Sequence, residues 1–408
     1  MHETIVVGGG IVGSWTALHL MQQFNQRNHT IGAFFGDKSV RRLIEIDHLQ
    51  LGAAVRTIRT AAHAWQLARD VSFLTPQLAT NVQPLFIPTG RLTFSYDSAD
   101  FLERWADELR KNSVAHELLD EHEIRNRFPT INYPKHKAIY EPGSGILRAH
   151  QCLLSVQWQF TALGGKIVDG CKVVQIVQGD RQRHLCVHTS DGQMYTAAKV
   201  VTAVGAWSAK LWPGCAAFIQ PQASAHLYWR SNKPGAYSAN HGFPIISQIP
   251  ERDVYGQPAS EYEDLMKLAH CDAAPCDPGP VHNMPIVVPD HPNETSIACQ
   301  VRKASAYVHE HYPHLDSTAP AIVERCLFAA TPDGEAILDV HPDFTQHHNV
   351  IVNLGFSDAG FMSSPGLANI LAHLVVGDVE RLKRMGYNVE RYQLKRFLKT
   401  GKGAHNEK

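Results

Sequence analysis

The sequence predicts a two-domain α/β protein, in which a domain of parallel strands and helices is interrupted twice by a second, mainly antiparallel sheet domain. Three observations predict this class. A short apolar strand, a glycine turn and an apolar helix open the chain in ETIVVGGGIVGSWTALHL. Similar strand, turn and helix patterns return in KVVTAVGAWSAKL and in NVIVNLGFSDAGFMSSPGLANILAHLVVGD. The intervening stretches carry alternating strand patterns such as PTGRLTFSY, together with most of the prolines.

The order of these patterns implies that the first domain is discontinuous. We expect it to comprise residues 1–62, 145–222 and 319–400, and we expect residues 63–144 and 223–318 to form the inserted substrate domain. The 408 residues of the chain suffice for two domains at about 100 to 200 residues each. A chain of this length buries a large core and can hold a cleft between two lobes.

The opening motif has the spacing of a dinucleotide-binding turn. Gly8, Gly10 and Gly13 fit G-x-G-x-x-G between a strand, Thr4 to Val7, and the following helix. The first glycine permits the tight turn, the second lets a pyrophosphate approach the backbone, and the third lets the helix pack closely on the strand. Unpaired N–H groups at the helix N-terminus stabilise the diphosphate. A glycine-rich turn without a ligand is the alternative, but the position of the motif between strand and helix favours a Rossmann-like domain.

The second strand of such a domain ends in an acidic residue, about 20 residues beyond the glycine turn, that binds the ribose hydroxyls. The best candidate strand is VRRLIEID, Val40 to Asp47, in which Glu45 follows an apolar pair. This choice implies an insertion, Asn25 to Lys38, between the helix and the strand. Asp37 is the alternative acid, although no comparable apolar run precedes it.

Two later segments continue the first domain. KVVTAVGAWSAKL predicts a buried strand, Lys199 to Ala203, followed by a glycine turn and a helix start. The late segment NVIVNLGFSDAGFMSSPG predicts a strand, a glycine-rich loop and an apolar helix. Its Ser-Ser-Pro-Gly run is typical of a capped helix with proline in the first turn, so we expect that helix to begin near Pro365.

The charge and cysteine content restrict the class of partner. Lys plus Arg total 38 and Asp plus Glu total 39, without a long run of either sign, so the sequence predicts neither nucleic acid nor membrane as a partner. Eight cysteines scattered without framework spacing suit reduced thiols. The pair in CDAAPCD has no second pair and no nearby His-x-x-His, so no metal is predicted. With no signal-peptide pattern and no long apolar run, we expect a cytoplasmic protein.

Seven segments then occur in the order of a known family. They are IVVGGGIVGS, PTGRLTF, EPGSGIL, VVTAVGAWS, VYGQPASEYEDLMKLAH, ERCLFAATPDGEAILDVHP and LGFSDAGFMSSPG. Together they resemble the D-amino-acid-oxidase-like superfamily of FAD-dependent oxidoreductases, and within it the branch of monomeric sarcosine oxidase and peroxisomal pipecolate oxidase. The resemblance runs through nearly the whole chain. It implies a Rossmann-like FAD-binding domain with an inserted, mainly antiparallel substrate domain.

The resemblance also implies how FAD is bound. In this branch a cysteine before a Pro-Asp turn is joined through a thioether to the 8α carbon of the flavin ring, and Cys326 in ERCLFAATPDG matches that position. Phe328 stands where the family usually has tyrosine, and an ordinary buried thiol is the alternative. The full set of implied cofactor-binding residues is Gly8, Gly10, Ile11, Val12, Gly13, Glu45, Val174, Gly205, Trp207, Cys326, Gly355, Phe356, Gly360, Phe361 and Met362.

The reaction that the family implies is transfer of a hydride equivalent from the carbon next to an amine nitrogen to flavin N5, with reoxidation by O2. Lys267 matches the family lysine that promotes the reaction with O2, and an isolated lysine between apolar residues is unusual for a surface charge. Tyr255 and His270 match active-site positions near the substrate. The family usually has one more residue between this lysine and this histidine, so a structural histidine is the alternative for His270.

Recognition of the substrate is where the sequence departs from the family. The family binds a substrate carboxylate with an arginine of an Arg-x-x-Arg segment and with a lysine in a late loop. VRTIRT offers Arg56 and Arg59, of which we assign Arg59 to the carboxylate because a guanidinium binds it with two bonds. Met362 occupies the position of the lysine, and Asp358-Ala359 replaces the usual Gly-His. We therefore expect a ligand that is larger, more apolar, or not a simple amino acid.

Three functions stay open from the sequence. The first is an oxidase of a secondary or primary amine that releases H2O2, with a small-molecule amine and O2 as partners. The second is a dehydrogenase with another electron acceptor, for which Lys267 is not needed. The third is a flavin-carrying subunit of a larger complex, which the altered SDAGFM loop favours. For the oxidase we expect a monomer or a small homo-oligomer.

Overall fold

The computed structural model describes residues 2–23, 32–34, 85–95, 99–111, 113–179, 184–248, 254–270, 273–278, 297–344, 349–357 and 360–398. Its strands are β1 (His2–Val7), β2 (Gly32–Phe34), β3 (Phe86–Pro88), β4 (Arg91–Ser95), β5 (Glu117–Leu119), β6 (Lys137–Glu141), β7 (Gly145–Leu147), β8 (Lys166–Val168), β9 (Val173–Gln178), β10 (Leu185–Thr189), β11 (Met194–Thr202), β12 (Gln220–Arg230), β13 (Ile245–Gln248), β14 (Val254–Pro258), β15 (Leu265–His270), β16 (Ala274–Pro275), β17 (Ile322–Ala330), β18 (Ile337–Val340) and β19 (Val350–Leu354). Its α-helices are α1 (Ile11–Gln23), α2 (Ala99–Lys111), α3 (Glu121–Arg127), α4 (Ala149–Ala162), α5 (Ser208–Leu211), α6 (Ile297–His311), α7 (Gly360–Val376), α8 (Val379–Arg384) and α9 (Lys395–Leu398).

The first sheet has parallel strands at its centre. Its strand order is β18–β19–β11–β1–β2–β8, in which β18 alone on this path is antiparallel to its neighbour, and β10 and β9 extend it beside β11. The central strands bury apolar side chains on both faces, in one cluster that includes the helices and in a second cluster on the other side. Ile5, Val200 and Val350 are fully buried. These observations confirm the mixed α/β fold that the sequence predicts.

One side of the first sheet packs on three helices. Trp15 and Leu18 of α1, Val156 of α4, and Ala368 and Leu371 of α7 belong to one apolar cluster. The Nε2 atom of His19 is 3.0 Å from the carbonyl oxygen of Pro365, which joins α1 to α7. The three helices thus form one apolar core with this side of the sheet.

The strand beside β1 differs from the predicted second strand. Residues Ile5 to Val7 pair with Gly32 to Phe34 on one side and with β11 on the other. The predicted strand, Val40 to Asp47, therefore does not occupy the position next to β1. A three-residue GAF strand has no apolar run long enough to stand out in a sequence. Glu45 and Asp37 both lie outside the described residues.

The last large helix begins earlier than predicted. The sequence placed its start near Pro365, whereas α7 begins at Gly360 and Pro365 lies inside it. Proline has no N–H to donate to the carbonyl four residues before it, which is that of Phe361. The hydroxyl of Ser364 donates to this carbonyl instead, at 2.7 Å. The Ser364 hydroxyl thus replaces the missing hydrogen bond, and the helix continues past Pro365.

The second sheet is mostly antiparallel. Its strand order is β16–β12–β15–β14–β13–β4–β6–β5, and β17 pairs with β12. One face packs against α6 in a cluster that includes Leu227, Trp229, Met266, Leu268 and Val308. Side chains alternate along a strand, so the residues between these positions face the other way. That opposite face is polar, and it carries the candidate catalytic residues.

Strand β17 links the two parts of the fold. It pairs with β12 in the second sheet over Ile322–Ala330, although the predicted boundary at residue 319 would leave it in the first domain. The carbonyl of Ala329 accepts a bond from the N–H of Ser357, in the loop after β19, at 2.9 Å. The domain boundaries stay a prediction.

Across the described ranges, no helix is long and apolar enough to cross a membrane.

Candidate active site

The glycine turn lies at the carboxyl end of β1, beside the carboxyl end of β11. Gly8 has φ +112°, and a Cβ atom there would lie 2.1 Å from the carbonyl oxygen of Ala203. A Cβ atom on Gly13 would lie 2.0 Å from the carbonyl oxygen of Gly8. Both positions therefore require glycine for packing of the strand, the turn and α1. At Gly10 an added Cβ atom would meet no protein atom within 4 Å.

Two further groups of predicted cofactor-binding residues lie at the same edge of the sheet. Gly205, with φ +55°, and Trp207 form a short 3-10 turn directly after β11. Gly355, with φ +62°, and Phe356 follow β19, which pairs with β11 in parallel. Ligands of open α/β sheets bind at the carboxyl ends of the strands, where the strand order changes direction. β1 and β11 are neighbours at that point of this sheet.

The loop after β19 leads into α7. Ser357 adopts φ 52°, which is uncommon for a residue with a side chain, and its buried Oγ atom has no partner among the described residues. Gly360 begins α7 and lies close to Phe356. A Cβ atom at position 360 would lie 2.6 Å from the Cβ atom of Phe356. Asp358 and Ala359 lie outside the described residues. The loop thus presents the N-terminal turn of α7 at the edge that carries the glycine motif.

Other predicted cofactor-binding residues differ in exposure. Val12, Phe361 and Met362 are buried in the apolar cluster around α1 and α7, and Ile11 packs against that cluster. Val174, on β9, is 46% exposed. Met362 is therefore part of the packing of α7, in contrast to the lysine that the family has at this position.

The polar face of the second sheet brings three predicted residues together. Lys267 on β15 is fully buried, and its Nζ atom is 5.8 Å from the centre of the Tyr228 ring. Tyr228 lies opposite Lys267 on β12, and its hydroxyl is 2.5 Å from Glu261 Oε1. Tyr255 on β14 and Cys326 on β17 belong to the same face by their register positions. These three predicted residues thus share one surface of the fold.

His226 is a site residue that the sequence reasoning missed. It lies on β12 between Lys267 and Cys326, and its Nδ1 atom is 2.6 Å from the hydroxyl of Tyr255. Burial, together with the charge of Lys267, holds the pKa of His226 well below its usual 6.5. The imidazole is therefore neutral at neutral pH. The pattern that could have indicated His226 is ASAHLYW, in which polar residues occupy every second position of a strand.

Cys326 is a deeply buried thiol on this face. It lies opposite Ser224 in the β12–β17 ladder and is 3% exposed. Burial raises its pKa to about 12, and the charge of Lys267 acts in the opposite direction. Without further help the thiol is protonated at neutral pH. Lys267 is thus close enough to influence both Cys326 and His226.

The remaining predicted residues are placed less completely. His270 ends β15, where its backbone pairs with Val254, and its role stays a prediction. Its side chain is outside the described part. Arg59, Arg56 and Glu45 lie outside the described residues altogether, and their roles stay predictions.

The described residues fit a flavin dinucleotide. Gly10 borders open space rather than protein, as a site for a diphosphate requires. Gly205 likewise has no protein atom within 4 Å of an added Cβ atom. The unpartnered atoms of Ser357 and His226 are polar groups beside which a ring with several acceptors and donors can bind. The chain offers both a place for the diphosphate and a polar face for the reaction.

Comparisons with known proteins agree with this geometry. A family model described as DAO, FAD dependent oxidoreductase, matches residues 3–374. Peroxisomal sarcosine oxidase of Homo sapiens is 27% identical over 418 residues, which cover 99% of this chain and 98% of the relative. Monomeric sarcosine oxidase of Bacillus sp. (strain B-0618) is 26% identical over 388 residues, 92% of each chain. The predicted family is confirmed, and these relatives support the predicted branch.

A solved structure shows the same fold. Glycine oxidase from Geobacillus kaustophilus superposes with a TM-score of 0.73 at 18% sequence identity, covering 100% of this chain and 99% of that chain. Together with the family match over residues 3–374, this establishes an enzyme with the two-domain α/β architecture. The chain belongs to the DAO family of FAD dependent oxidoreductases.

Proposed function

We propose that this enzyme oxidises a secondary or primary amine, an amino acid or an N-alkyl amino acid, with O2 as the electron acceptor. The products are H2O2 and an imine, which water hydrolyses. The observation that carries the proposal is the fully buried Lys267 on one sheet face with the Tyr255–His226 pair and Cys326. Two relatives are named sarcosine oxidase, which supports an amine substrate.

Bound flavin supplies the acceptor for a hydride equivalent at N5 and the means to pass two electrons to O2. The residues of the chain supply position and charge. Lys267 is fully buried, and a positive charge at this place favours the negative charge that develops on oxygen. His226 is neutral, so it fixes the Tyr255 hydroxyl without adding a second charge. The N-terminal turn of α7 adds positive potential near the loop after β19.

Covalent attachment of FAD through Cys326 is part of this proposal. The thiol faces the same side as Lys267, and its strand is tied to the loop after β19 by the Ala329–Ser357 hydrogen bond. The charge of Lys267 is the described feature that favours the reactive thiolate.

Acid precipitation of the purified yellow protein tests the attachment. We expect the flavin absorbance to stay in the pellet and to map to the peptide that contains Cys326. A Cys326→Ser variant should release its flavin into the supernatant, and Cys215→Ser, at another buried cysteine, serves as the control. Release of all flavin from the unmodified protein would exclude the covalent link.

We propose that Arg59 binds the substrate carboxylate. Met362 is buried in apolar packing, so the family lysine has no replacement at that position among the described residues. We therefore propose a substrate that does not depend on two cations for its α-carboxylate.

Peroxide yield with a panel of amines tests the reaction itself. We expect one H2O2 for each amine oxidised in air. If an amine reduces the flavin but O2 reoxidises it slowly, the enzyme is a dehydrogenase with another acceptor. If no amine reduces the flavin, native mass of the protein from cells decides whether it is a subunit of a larger complex. A cytoplasmic location and a monomeric or small homo-oligomeric state complete the proposal.

A further inference from the structure

A strip of polar side chains crosses the second sheet on the face that carries Lys267. We call it the polar strip and define it as Arg91, Thr93, Ser247, Tyr255 and Gln257. The residues come from three neighbouring strands, β4, β13 and β14. Helix α2 covers the sheet beyond β4, where Leu102, Ala106 and Leu109 form a cluster with Ile139. The polar strip thus runs from the candidate active site towards α2.

The strand register places these side chains next to each other. Tyr255 lies opposite Ser247, and Ser247 lies opposite Thr93. Arg91, in contrast, lies opposite the buried Ile245 and reaches the strip through its bond to Ser247. Residues two apart in one strand project from the same face, which adds Arg91 and Gln257 to the set. Strands are about 4.8 Å apart, so the backbones of β4 and β14 are separated by about 10 Å. Long side chains such as those of Arg91 and Tyr255 can span most of the distance between these two strands.

Several atoms of the polar strip are buried without a hydrogen-bond partner in the described part of the chain. They are Nε and Nη1 of Arg91, Oγ1 of Thr93, and both amide atoms of Gln257. Arg91 is 4% exposed, Thr93 2% and Gln257 0%. Unbonded polar atoms are costly in a protein interior, and native structures contain few of them. Their concentration on one face indicates a bound polar group.

Arg91 is the strongest of these groups because it carries a charge. Its Nη2 atom donates to Ser247 Oγ at 3.1 Å. Glu141, opposite Arg91 on β6, lies near enough for its charge to act on the guanidinium, and its Oε1 accepts a bond from Trp105 Nε1 at 3.4 Å. Among the described residues, no acceptor is bonded to Nε or Nη1 of Arg91. A guanidinium has five N–H donors and stays protonated, so the donors on Nε and Nη1 are available to a further acceptor.

We propose that Arg91 is a specificity-determining residue that binds a carboxylate at the far end of the amine substrate. The amine lies at Tyr255 beside Lys267, and the substrate chain runs along the polar strip to the guanidinium. Thr93 and Gln257 bond to polar atoms between the two ends. A carboxylate is the preferred partner because its oxygens accept charge-assisted bonds from a planar guanidinium. The substrate class is therefore an amino acid or N-alkyl amino acid with a second, distal carboxylate.

This inference rests on the proposed function for the position of the amine, and paired substrates test it. One set comprises both enantiomers of N-methylaspartate, N-methylglutamate and N-methyl-2-aminoadipate. The matched set has the same chains with a terminal methyl group in place of the distal carboxylate, and a third set has a terminal carboxamide. We expect the best dicarboxylate to exceed its methyl and carboxamide matches in kcat/KM by about 10- to 100-fold.

Variants of Arg91 separate recognition from folding. Arg91→Met leaves Glu141 without its neighbouring cation, so the double variant Arg91→Met/Glu141→Gln removes both charges. Either variant should lose the preference for the dicarboxylate, so that its kcat/KM ratio between the dicarboxylate and the methyl-terminated match falls towards one. Arg91→Lys keeps the charge and should retain part of the preference. Arg110→Met, on the exposed side of α2, is the matched control.

The results distinguish the two proposals. If the methyl-terminated compounds are oxidised as well as the dicarboxylates, or if Arg91→Met lowers both equally, the role of Arg91 is wrong while amine oxidation stands. If no compound is oxidised, thermal stabilisation of the flavin-loaded protein by the same compounds provides the readout. Stabilisation that requires both the distal carboxylate and Arg91 would support the inference although the proposed function had failed. Equal stabilisation of the unmodified protein and the double variant would overturn it.

Discussion

At the scale of single residues, the buried Lys267 is the feature with the clearest chemical use. A lysine with no exposed surface loses its hydration, and a protein keeps such a charge where it has a function or a strong partner. Lys267 faces the Tyr228 ring and acts on both His226 and Cys326. The main charged group on the polar face of the second sheet is thus a lysine, rather than a pair of residues that act as acid and base.

Replacement of Lys267 by methionine should slow the reaction with O2. Removal of one fixed charge or donor that stabilises developing charge costs on the order of 10²- to 10³-fold. We expect a loss of that size in the oxidative half-reaction, and a much smaller change when an amine reduces the flavin without air. Stopped-flow absorbance measures the two half-reactions separately, and Lys267→Arg is the charge-conserving control. Equal losses in both half-reactions would contradict the assigned role.

Sequence reasoning found the residues with a distinctive local pattern and missed those without one. Lys267, Tyr255 and Cys326 were predicted, and the structure places them on one face. His226 and Arg91 were missed because a polar residue in an alternating strand is ordinarily a solvated side chain. Only the pairing of distant strands within one sheet places these two buried residues on the same face. Pairing between distant strands cannot be derived from local periodicity.

At the scale of elements, the glycine turn between β1 and α1 separates packing from ligand binding. A Cβ atom on Gly13 would collide with the carbonyl of Gly8, whereas a Cβ atom on Gly10 would meet no protein atom within 4 Å. The same substitution at two positions three residues apart therefore has different physical consequences.

Gly13→Ala should lower both stability and FAD content, because α1 must move away from the turn. Gly10→Ala should leave the unfolding temperature of the flavin-free protein within about 2 °C, since a surface substitution without a clash changes stability by under about 0.5 kcal/mol. It should nevertheless lower FAD content, because its methyl group occupies the approach of the diphosphate. Thermal unfolding and flavin absorbance measure the two effects. A Gly10→Ala protein that binds FAD normally would argue against the assigned diphosphate site.

The boundaries of elements were predicted less well than their existence. The strand and helix at the chain start were predicted, and β1 and α1 match them closely. The start of α7 was misjudged because Ser364 supplies the bond that Pro365 cannot make. β2 was misjudged because three residues carry too little pattern against a longer apolar run nearby. Both errors arise from contacts that local propensity does not contain.

At the scale of the whole molecule, His19 couples stability to pH. It is buried between α1 and α7, stacks on Trp15 and lies near His373, and burial lowers its pKa from 6.5 to about 4. Above pH 6.5 the imidazole is neutral in both folded and unfolded chains. As the pH falls from 6.5 to 4, the unfolded chain takes up a proton that the folded one resists, so stability is lost in this window.

The loss attributable to His19 should approach about 3 kcal/mol at pH 4. We expect His19→Gln, which keeps a donor for the carbonyl of Pro365, to flatten part of the decline between pH 6.5 and 4. His226 titrates in the same direction, so some decline remains. Denaturant unfolding at a series of pH values measures the slope, with His150→Gln, on an exposed part of α4, as the control. An unchanged slope in His19→Gln would show that other groups govern the acid limit.

The alternation of the second sheet has a consequence for how this enzyme can diversify. On β12, Ala225, Leu227 and Trp229 hold the fold together, while Ser224 and His226 meet the substrate side. Residues that maintain stability and residues that set selectivity thus alternate along the same strand. A library that varies only the substrate-side residues of β12, β13 and β14 should test new amines with most members still folded. Substitution of the core-facing residues between them should instead destabilise the fold.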